Sequence, residues 1–297
     1  MDDLIAALDI GGTKTQLILE QVGGGRVLDV TEPSLEWDAE PEPAAAKWIA
    51  ERVRRHTPNG ARIVSLAFGA QGINRSETGQ NLERELAALG YATTAVNDAS
   101  LIVAAAGFSQ GIGVIAGTGA IAVGADADGR FLSSGGWGWV IGDEGSAAGL
   151  VREATRAALR ANDEGRPDDG LLGHLLADFG VADAERLTRR VNDDPTVDNW
   201  APHAPAVFAA AEAGSALADA VITDGARHLA ELVRQLRNRG AVGSDVVVAG
   251  SVIVNQPRLL DAFRRSVAEH DQSASVHVLR EPPVTGAVML ARSALTK

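Results

Sequence analysis

Cysteine is absent from this sequence of 297 residues. Without thiols the chain can form no disulfide bond, no thiolate zinc site and no cysteine-ligated iron–sulfur cluster. A chain without disulfides is typical of a reducing compartment, and no basic-then-apolar signal segment opens the sequence. We therefore expect a cytoplasmic protein.

Positive charge and long apolar runs are also scarce. The sequence has 27 Lys and Arg against 39 Asp and Glu, which gives a net charge of −12. This excess of negative charge would repel a phosphate backbone, so we expect no nucleic-acid partner. No apolar run approaches the roughly 18–20 residues of a membrane-spanning helix, so we expect no membrane partner. Hydrophobic residues still make up 45% of the chain, which is ample for globular cores.

The stretch LIAALDIGGTKT at 4–15 combines a predicted buried strand with a glycine turn. The apolar run ends at Asp9, and a second apolar run follows the turn residues Gly11, Gly12, Thr13 and Lys14. Two glycines let backbone N–H groups approach a bulky anion closely, and a carboxylate at a strand end suits a hydrated divalent cation. A plain β-hairpin is the alternative, because Gly-Gly is also a common hairpin turn.

Apolar runs and glycine turns organise the chain into two α/β halves. The first ~106 residues predict the order β-β-β-α-β-α-β-α, in which helices cover a mixed sheet. The pattern then restarts, because the turn AGTGA also lies between two apolar runs, about 105 residues after the first turn. We interpret the two hairpins as an internal duplication, whose loops would grip the phosphates of one nucleotide from both sides.

The second half contains a predicted helical insertion. We predict a loop over Asn192–Pro205 and a long helical pattern over Ala206–Asn238, which Gly214 and Gly225 interrupt. A closing helix is predicted over Val284–Ala294.

A second carboxylate follows a later predicted strand, Thr93–Val96, in the sequence NDAS. This carboxylate, Asp98, stands where a helix begins, so one interpretation is a helix cap. The other is a general base that accepts the proton of an attacking hydroxyl, because phosphoryl transfer needs an oriented nucleophile.

The segment Gly135–Ser146, GGWGWVIGDEGS, is dense in glycine and contains Trp137, Trp139, Asp143 and Glu144. An aromatic wall beside carboxylates suits a polyol, because sugar C–H faces pack on rings and carboxylates accept hydrogen bonds from hydroxyls. The alternative is structural: Asp143 would cap the following helix, and both Trp would belong to the core. The six His residues show no metal-ligand spacing, and we interpret them as structural or surface residues.

Taken in order, these motifs resemble the acetate/sugar kinase, Hsp70 and actin superfamily. More closely, they resemble the N-acetylglucosamine kinase branch of the BadF/BadG-type ATPase family, over almost the whole chain. DIGGTKT and AGTGA match the two phosphate loops, and NDAS matches the segment with the catalytic aspartate. GGWGWVIGDEGS matches the sugar-site signature, and AEAGSALA and VAGSVIVN match the adenosine side. PPVTGAVMLA matches a last helix that packs back on the N-terminal domain.

The resemblance implies a fold of two ribonuclease-H-like, actin-like ATPase domains with an interdomain cleft for nucleotide and sugar. It implies an N-terminal domain of residues 1–106 plus 283–297 and a C-terminal domain of residues 107–282. It also implies an ATP-dependent kinase that uses Mg²⁺ and phosphorylates N-acetylglucosamine at the 6-hydroxyl. The expected partner is a small-molecule amino sugar, and the expected assembly is a homodimer.

The resemblance further implies roles for single residues. Asp9 would hold Mg²⁺ through water, and Asp98 would bind the reacting hydroxyl and act as the base. The nucleotide would be bound by Gly11, Gly12, Thr13, Lys14, Gly117, Thr118, Gly119, Gly214, Gly250, Ser251 and Asn255. The sugar would be bound by Glu36, Trp37, Asp98, Gly136, Trp137, Gly138 and Asp143.

Two departures from the family patterns bear on the subtype. The reductase and dehydratase activators hold an iron–sulfur cluster with cysteines, and a related repressor/kinase family has a cysteine zinc site, whereas this chain has no cysteine. The segment SLEWD at Ser34–Asp38 places Glu36 and Trp37 where human-type N-acetylglucosamine kinases have Asn-His-Trp. An acidic Glu36 would favour a free ammonium group, and hence glucosamine over the N-acetylated sugar.

Two further functions stay open at this point. Another amino sugar, such as N-acetylmuramic acid, is an alternative substrate. A nucleotide-dependent switch without a small substrate is an alternative of a different class, because chaperones and actins use the same fold. The Trp-rich GGWGW segment favours the sugar site over the switch.

Overall fold

The computed structural model describes residues 2–296, and the chain divides into two compact units. Unit 1 comprises Met1–Gly113, Gly124–Leu132 and Leu279–Lys297. Unit 2 comprises Val114–Val123 and Ser133–Val278. Each unit therefore contains segments that are distant in sequence.

The first sheet has five strands: β1 (Asp3–Ile10), β2 (Lys14–Gln21), β3 (Arg26–Pro33), β4 (Arg62–Ala70) and β5 (Thr93–Asn97). Their order is β3-β2-β1-β4-β5. β1 and β2 form an antiparallel hairpin, whereas β1, β4 and β5 run parallel to one another. The register pairs Asp9 with Gly69 and Ala70 with Asn97. The carboxyl ends of the three parallel strands therefore meet at one edge of the sheet.

Helices cover both faces of this sheet: α1 (Glu42–His56), α2 (Ser76–Ala88), α3 (Leu101–Ala105) and, at the end of the chain, α12 (Val284–Ala294). β1 alternates between the faces, because Leu8 packs with α1 and α2, whereas Ala7 packs with α3 and α12. Both faces of β1 are therefore buried, which explains its continuous apolar run.

The second sheet also has five strands: β6 (Ile112–Ala116), β7 (Ala120–Ala125), β8 (Phe131–Gly135), β9 (Asp245–Ala249) and β10 (Ser275–Val278). Their order is β10-β9-β6-β7-β8. Counted from the first strand of each half, both sheets have the order 3-2-1-4-5. This common order supports the predicted internal duplication, and two mixed sheets with helices confirm the predicted α/β class.

Eight helices belong to the second half: α4 (Ala147–Asp163), α5 (Leu171–Phe179), α6 (Ala184–Asp193), α7 (Val197–Trp200), α8 (Ala204–Glu212), α9 (Ala216–Asn238), α10 (Ser251–Asn255) and α11 (Pro257–His270). The predicted loop over Asn192–Pro205 is wrong, because α7, a 3-10 turn and the start of α8 lie within it. Thr196 caps α7 by accepting a hydrogen bond from the Asn199 N–H, and Trp200 is buried. A capping residue followed by a buried aromatic residue stabilises a short helix in an otherwise polar segment.

The predicted interruptions of the long helical pattern have different outcomes. The chain does break at Gly214, after which Ser215 caps α9 by accepting a hydrogen bond from the Ala218 N–H. It does not break at Gly225, where α9 continues. A Cβ atom at Gly225 would lie 3.0 Å from the Cα of Gly145, so glycine is required there for close packing.

Among residues 2–296, no helix is long and apolar enough to cross a membrane.

Candidate active site

Asp9 and Asp98 lie at the carboxyl edge of the first sheet, on β1 and directly after β5. Both side chains are partly buried. Burial, and secondly the negative charge of Asp98, raises the pKa of Asp9 to about 6. Burial also raises the pKa of Asp98, although hydrogen bonds from backbone N–H groups to its carboxylate partly lower it again. The structure therefore brings the two carboxyl groups, predicted from separate motifs, close enough to interact.

This pair of carboxyl groups fits a divalent cation of the Mg²⁺ type. Carboxylate oxygens are preferred ligands of Mg²⁺, and a cation would relieve the repulsion that raises the pKa of Asp9. Among the described residues 2–296, no group of three or more His, Asp or Glu side chains could enclose a metal ion. One or two carboxylates are enough for Mg²⁺, because this ion usually keeps several waters and phosphate oxygens as ligands.

Asn97 caps the helical turn that follows β5. Its side-chain oxygen accepts a hydrogen bond from the Ala99 N–H at 3.0 Å, and its Nδ2 donates to the Ile73 carbonyl at 3.0 Å. The capping interpretation of Asp98 is therefore wrong, because its neighbour performs this task. The Asp98 carboxyl group accepts hydrogen bonds from nearby backbone N–H groups but is not the cap, and it stays partly exposed for another role.

The first glycine turn connects β1 and β2, and the Gly11 N–H donates to the Lys14 carbonyl at 3.0 Å. Thr13 and Lys14 are exposed. Gln71, the first residue after β4, lies against this turn, because a Cβ atom at Gly12 would stand 2.5 Å from Gln71 Oε1. The Gln71 N–H also donates to the Ile10 carbonyl at 2.8 Å.

Gln71 is a candidate site residue that the sequence analysis missed. It is exposed at the same sheet edge as Asp9 and Asp98. A signal did exist, because Gln71 directly follows β4, the second of the three parallel strands along the chain, and precedes Gly72. Polar residues at the carboxyl ends of parallel strands are where ligands bind in α/β sheets.

The SLEWD segment is held next to the first glycine turn. The Ser34 N–H donates to the Thr13 carbonyl at 3.0 Å, and Trp37 Nε1 donates to the Gln71 carbonyl at 3.1 Å. The Trp37 ring packs on Trp48 with 5.0 Å between centroids. Glu36 is exposed and has the left-handed φ of 63°.

The second glycine turn connects β6 and β7, with the Gly117 N–H donating to the Gly119 carbonyl at 3.0 Å. Thr118 is exposed between them. The start of α10 lies beside this turn, because a Cβ atom at Gly117 would stand 3.7 Å from the backbone nitrogen of Ser251. A Cβ atom at Gly250 would stand 2.5 Å from the Ala116 carbonyl oxygen.

The remaining predicted nucleotide residues lie in two places. Asn255 ends α10, where its Nδ2 donates to the Ser251 carbonyl at 2.8 Å. Gly214 is exposed in the turn between α8 and α9, and a Cβ atom there would meet no atom within 4 Å. Asn255 is thus linked to the second glycine turn through α10, whereas no contact of this kind is seen for Gly214.

The loop after β8 contains the predicted sugar residues of the second half. Gly136, Trp137 and Gly138 are exposed, and Trp137 retains 76% of its accessible surface. Trp139 is partly buried and packs on Trp200 with 5.0 Å between ring centroids. The core interpretation is therefore wrong for Trp137, whereas Trp139 contacts the helical insertion.

The side chain of Asp143 lies against the second glycine turn. A Cβ atom at Gly119 would stand 2.8 Å from its Oδ2, and its backbone has the left-handed φ of 58°. Burial raises the pKa of Asp143, whereas hydrogen bonds from the backbone N–H groups of Ala120 and Gly138 lower it. The other carboxyl oxygen, Oδ1, is buried without a hydrogen-bond partner.

Asp143 does not cap α4. The cap is Ser146, whose hydroxyl oxygen accepts a hydrogen bond from the Gly149 N–H at 3.1 Å. A buried carboxyl oxygen without a partner is costly, and a left-handed non-glycine residue adds backbone strain. Both costs are typical of a residue that is kept for a ligand, and a ligand hydroxyl would satisfy Oδ1.

Comparison with known proteins places these features in a family. The model of the BadF/BadG/BcrA/BcrD ATPase family matches residues 8–291. An N-acetylmuramic acid/N-acetylglucosamine kinase of Clostridium acetobutylicum is 27% identical, over 97% of this chain and 98% of the relative. An N-acetyl-D-glucosamine kinase of Dictyostelium discoideum is 24% identical, over 97% of this chain and 98% of the relative.

Solved structures of other proteins superpose on this fold. A candidate N-acetylglucosamine kinase of Chromobacterium violaceum superposes with a TM-score of 0.64 at 21% identity, over 97% of this chain and 98% of the other. A glucokinase of the ROK family from Streptomyces griseus superposes with a TM-score of 0.53 at 18% identity, over 99% and 100% of the chains. The predicted actin-like ATPase fold of two α/β domains is confirmed. Because the model of the family matches residues 8–291, this chain belongs to the BadF/BadG/BcrA/BcrD ATPase family.

Proposed function

We propose that this protein is an ATP-dependent amino-sugar kinase that phosphorylates N-acetylglucosamine at the 6-hydroxyl. The names of its full-length relatives support an amino-sugar kinase. The observation that carries the proposal is the Asp143 carboxyl group, whose buried Oδ1 has no partner. Trp137, six residues earlier in the same loop, is exposed. A hydroxyl-rich ligand with apolar C–H faces has the chemistry that these two side chains can bind.

Asp98 is the proposed base of the transfer. An oxygen–phosphorus bond forms between the sugar hydroxyl and the γ-phosphorus of ATP, the bond from that phosphorus to the bridging oxygen breaks, and ADP leaves. The hydroxyl proton passes to the Asp98 carboxylate. Burial raises the pKa of Asp98, which strengthens it as a proton acceptor while it is ionised.

The two glycine turns are proposed to bind the phosphates of ATP, and Asp9 is proposed to bind the metal ion. Backbone N–H groups and the exposed hydroxyls of Thr13 and Thr118 are donors of the kind that phosphate oxygens accept. Asp9 would hold Mg²⁺ through water, and the ion would neutralise charge on the transferred phosphoryl group. Gly214, Ser251 and Asn255 remain proposed contacts to the nucleotide. A cytoplasmic location and a homodimer also remain predictions.

The SLEWD segment is the proposed determinant of substrate choice. Glu36 is exposed on a turn that hydrogen bonds attach to the first glycine turn. A carboxylate there would attract the ammonium of glucosamine and so raise the activity toward this second sugar, while N-acetylglucosamine stays the proposed main substrate. Glu36→Gln removes the charge and keeps the shape of the side chain. The ratio of kcat/KM for glucosamine to that for N-acetylglucosamine should then fall, and an unchanged ratio would remove this role for Glu36.

A substrate panel tests the proposed function. ADP release is measured with purified protein and MgATP in the presence of N-acetylglucosamine, glucosamine, N-acetylmuramic acid, N-acetylmannosamine or glucose. We expect a strong and selective stimulation by an amino sugar, with N-acetylglucosamine the most active. ADP release that no sugar changes would support the nucleotide-dependent switch instead.

A further inference from the structure

The loop that includes Trp137 and Asp143 lacks helix and strand from residue 136 to residue 144. Its large apolar side chains are mostly exposed, with 76% for Trp137, 68% for Val140 and 76% for Ile141. These side chains bury little apolar surface, so their packing does little to fix the conformation of the loop. At the start of the loop the Gly136 N–H donates to the Ala120 carbonyl at 2.9 Å, and within it the Gly142 N–H closes a local turn by donating to the Gly138 carbonyl at 2.8 Å.

One charged side chain beneath the loop holds it to α4. Arg152 is 13% exposed, and its Nη1 donates to the backbone carbonyls of Trp139 and Gly142, the second at 2.9 Å. Its Nε donates to Glu153 at 2.8 Å, and its Nη2 lies 3.9 Å from Glu144. A guanidinium group is always charged and planar, so one side chain can join several acceptors in fixed directions.

These contacts lie next to the groups that the proposed function needs. The Gly142 carbonyl belongs to the peptide bond that leads into Asp143, and the Trp139 carbonyl lies two residues after Trp137. Burial raises the pKa of Asp143, and the positive charge of Arg152 opposes this rise, as a smaller effect than the backbone hydrogen bonds from Ala120 and Gly138. Arg152 thus acts mainly on the position of this carboxyl group, through the backbone on either side of the loop.

We propose that Arg152 is a positioning residue for the sugar, which holds the loop so that Trp137 and Asp143 keep their binding geometry. The inference rests on the proposed function, because the ligand of the loop is taken to be an amino sugar. Arg152 itself is not proposed to contact the sugar. Its removal should weaken sugar binding and leave nucleotide binding unchanged.

Arg152→Met tests this proposal, with Arg156→Met as the matched control. Arg156 lies one turn further along α4 and also pairs with Glu153, at 3.2 Å, but its side chain is 64% exposed and faces solvent. For Arg152→Met we expect the KM for N-acetylglucosamine to rise about 10- to 100-fold, the size of one lost charge-assisted hydrogen bond. The KM for ATP should stay within about twofold of wild type in both variants.

Hydrogen exchange of the loop supplies a readout that does not depend on activity. Backbone amides of residues 136–144 should exchange at least about tenfold faster in Arg152→Met, and at the wild-type rate in Arg156→Met. Arg152→Lys keeps the charge but not the planar group, and we expect smaller changes in the same direction. It serves as the second variant if Arg152→Met does not fold.

The outcomes separate this proposal from the proposed function. A sugar KM and loop exchange rates that stay at wild-type values in the folded Arg152 variants would overturn the positioning role. Faster loop exchange with an unchanged sugar KM would overturn it as well. Wild-type protein that releases no ADP in response to any sugar would overturn the kinase function, whatever the exchange data show.

Discussion

Asn97 and Asp98 are adjacent in sequence but have different partners. Asn97 is buried, accepts a hydrogen bond from the Ala99 N–H and donates one to the Ile73 carbonyl. Asp98 is partly buried, and desolvation raises its pKa. The structural task and the chemical task are thus divided between two residues, and each can be removed separately.

Asp98→Asn should lower kcat by about 10²–10⁴ because the base is lost, with ATP binding retained. Its melting temperature should stay close to that of wild type, because Asn97 still caps the helix. Steady-state kinetics and a nucleotide-binding titration measure the two quantities. Near-wild-type kcat would show that Asp98 is not the base.

Asn97→Ala is the complementary variant. The loss of a helix cap costs about 0.5–2 kcal/mol, so the free energy of unfolding should fall by that amount. Urea denaturation at constant pH measures the change. A kcat loss as large as that of Asp98→Asn, without a change in stability, would contradict the division of tasks.

Asp9 should make stability depend on pH. Its pKa is about 6 in the folded protein, above the ordinary value of 3.8, so between these values the folded state binds more protons than the unfolded state. Stability therefore falls as the pH rises through this interval, and the whole penalty is present above about pH 6.

Asp9→Asn isolates this effect. In metal-free buffer with a chelator, the variant should gain stability relative to wild type between about pH 4 and pH 6, with no further gain above. Urea denaturation of both proteins at several pH values gives the difference in unfolding free energy. A difference that stays constant from pH 4 to pH 8 would show that Asp9 is not perturbed.

The turn between β9 and α10 illustrates how a glycine allows two elements to meet. Gly250 has a φ of 100°, and a Cβ atom there would lie 2.5 Å from the Ala116 carbonyl oxygen on β6. Gly214, in the turn before α9, has the same φ of 100° but open space around it. An alanine at Gly214 would therefore meet only the cost of a positive φ, whereas an alanine at Gly250 would also meet the cost of a steric clash.

Gly250→Ala should destabilise the protein much more than Gly214→Ala does. The positive φ costs roughly 1–2 kcal/mol at either position, and only at Gly250 must the backbone of a neighbouring strand also move. Thermal denaturation compares the two variants directly. Equal changes in melting temperature would contradict the close approach of β6 and α10.

The elements with clear periodicity were predictable from sequence, and those fixed by tertiary contacts were not. The helix Val284–Ala294 has the predicted bounds, because an apolar periodic run marks it and Pro282 and Pro283 stand directly before it. Helix α10 was missed, since five residues after a glycine show no helical period. The continuation of α9 through Gly225 was also missed, because it depends on packing against Gly145.

For the candidate site, the sequence motifs predicted which residues take part but not which other residues contact them. Asp9 lies at the end of β1 and Asp98 directly follows β5, so both were found as carboxylates at strand ends. The roles of Gln71 and Arg152 depend on contacts with residues distant along the chain or across a loop. The place of Gln71 directly after β4 was a local signal, but no local pattern encodes the contacts of either residue, so the structure was needed to find them.

Unit 1 is completed by the end of the chain. The C-terminal helix α12 packs against β1, where Ala287 and Val288 lie in one core with Ile5 and Ala7. Ala287 is fully buried, whereas Met289 on the other side of the same helix is 39% exposed. The stability of the first sheet therefore depends on residues more than 270 positions away.

Ala287→Glu should unfold the protein or lower its melting temperature by roughly 6–12 °C, because an unpaired charge is buried against a sheet. Met289→Glu is the matched control, and it should change the melting temperature by about 2 °C or less because the new charge is solvated. Calorimetry of both variants measures the difference. Similar melting temperatures would show that α12 does not cover the sheet.

The same order of strands, 3-2-1-4-5, in both sheets gives the molecule two similar glycine turns, each beside an acidic side chain. We propose that the protein transfers the γ-phosphoryl group of ATP to an amino sugar. The most direct test is ADP release by wild type and Asp98→Asn, each with MgATP, in the presence and absence of N-acetylglucosamine. We expect sugar-dependent ADP release by wild type and its loss in Asp98→Asn, and ADP release by wild type that the sugar does not change would contradict the claim.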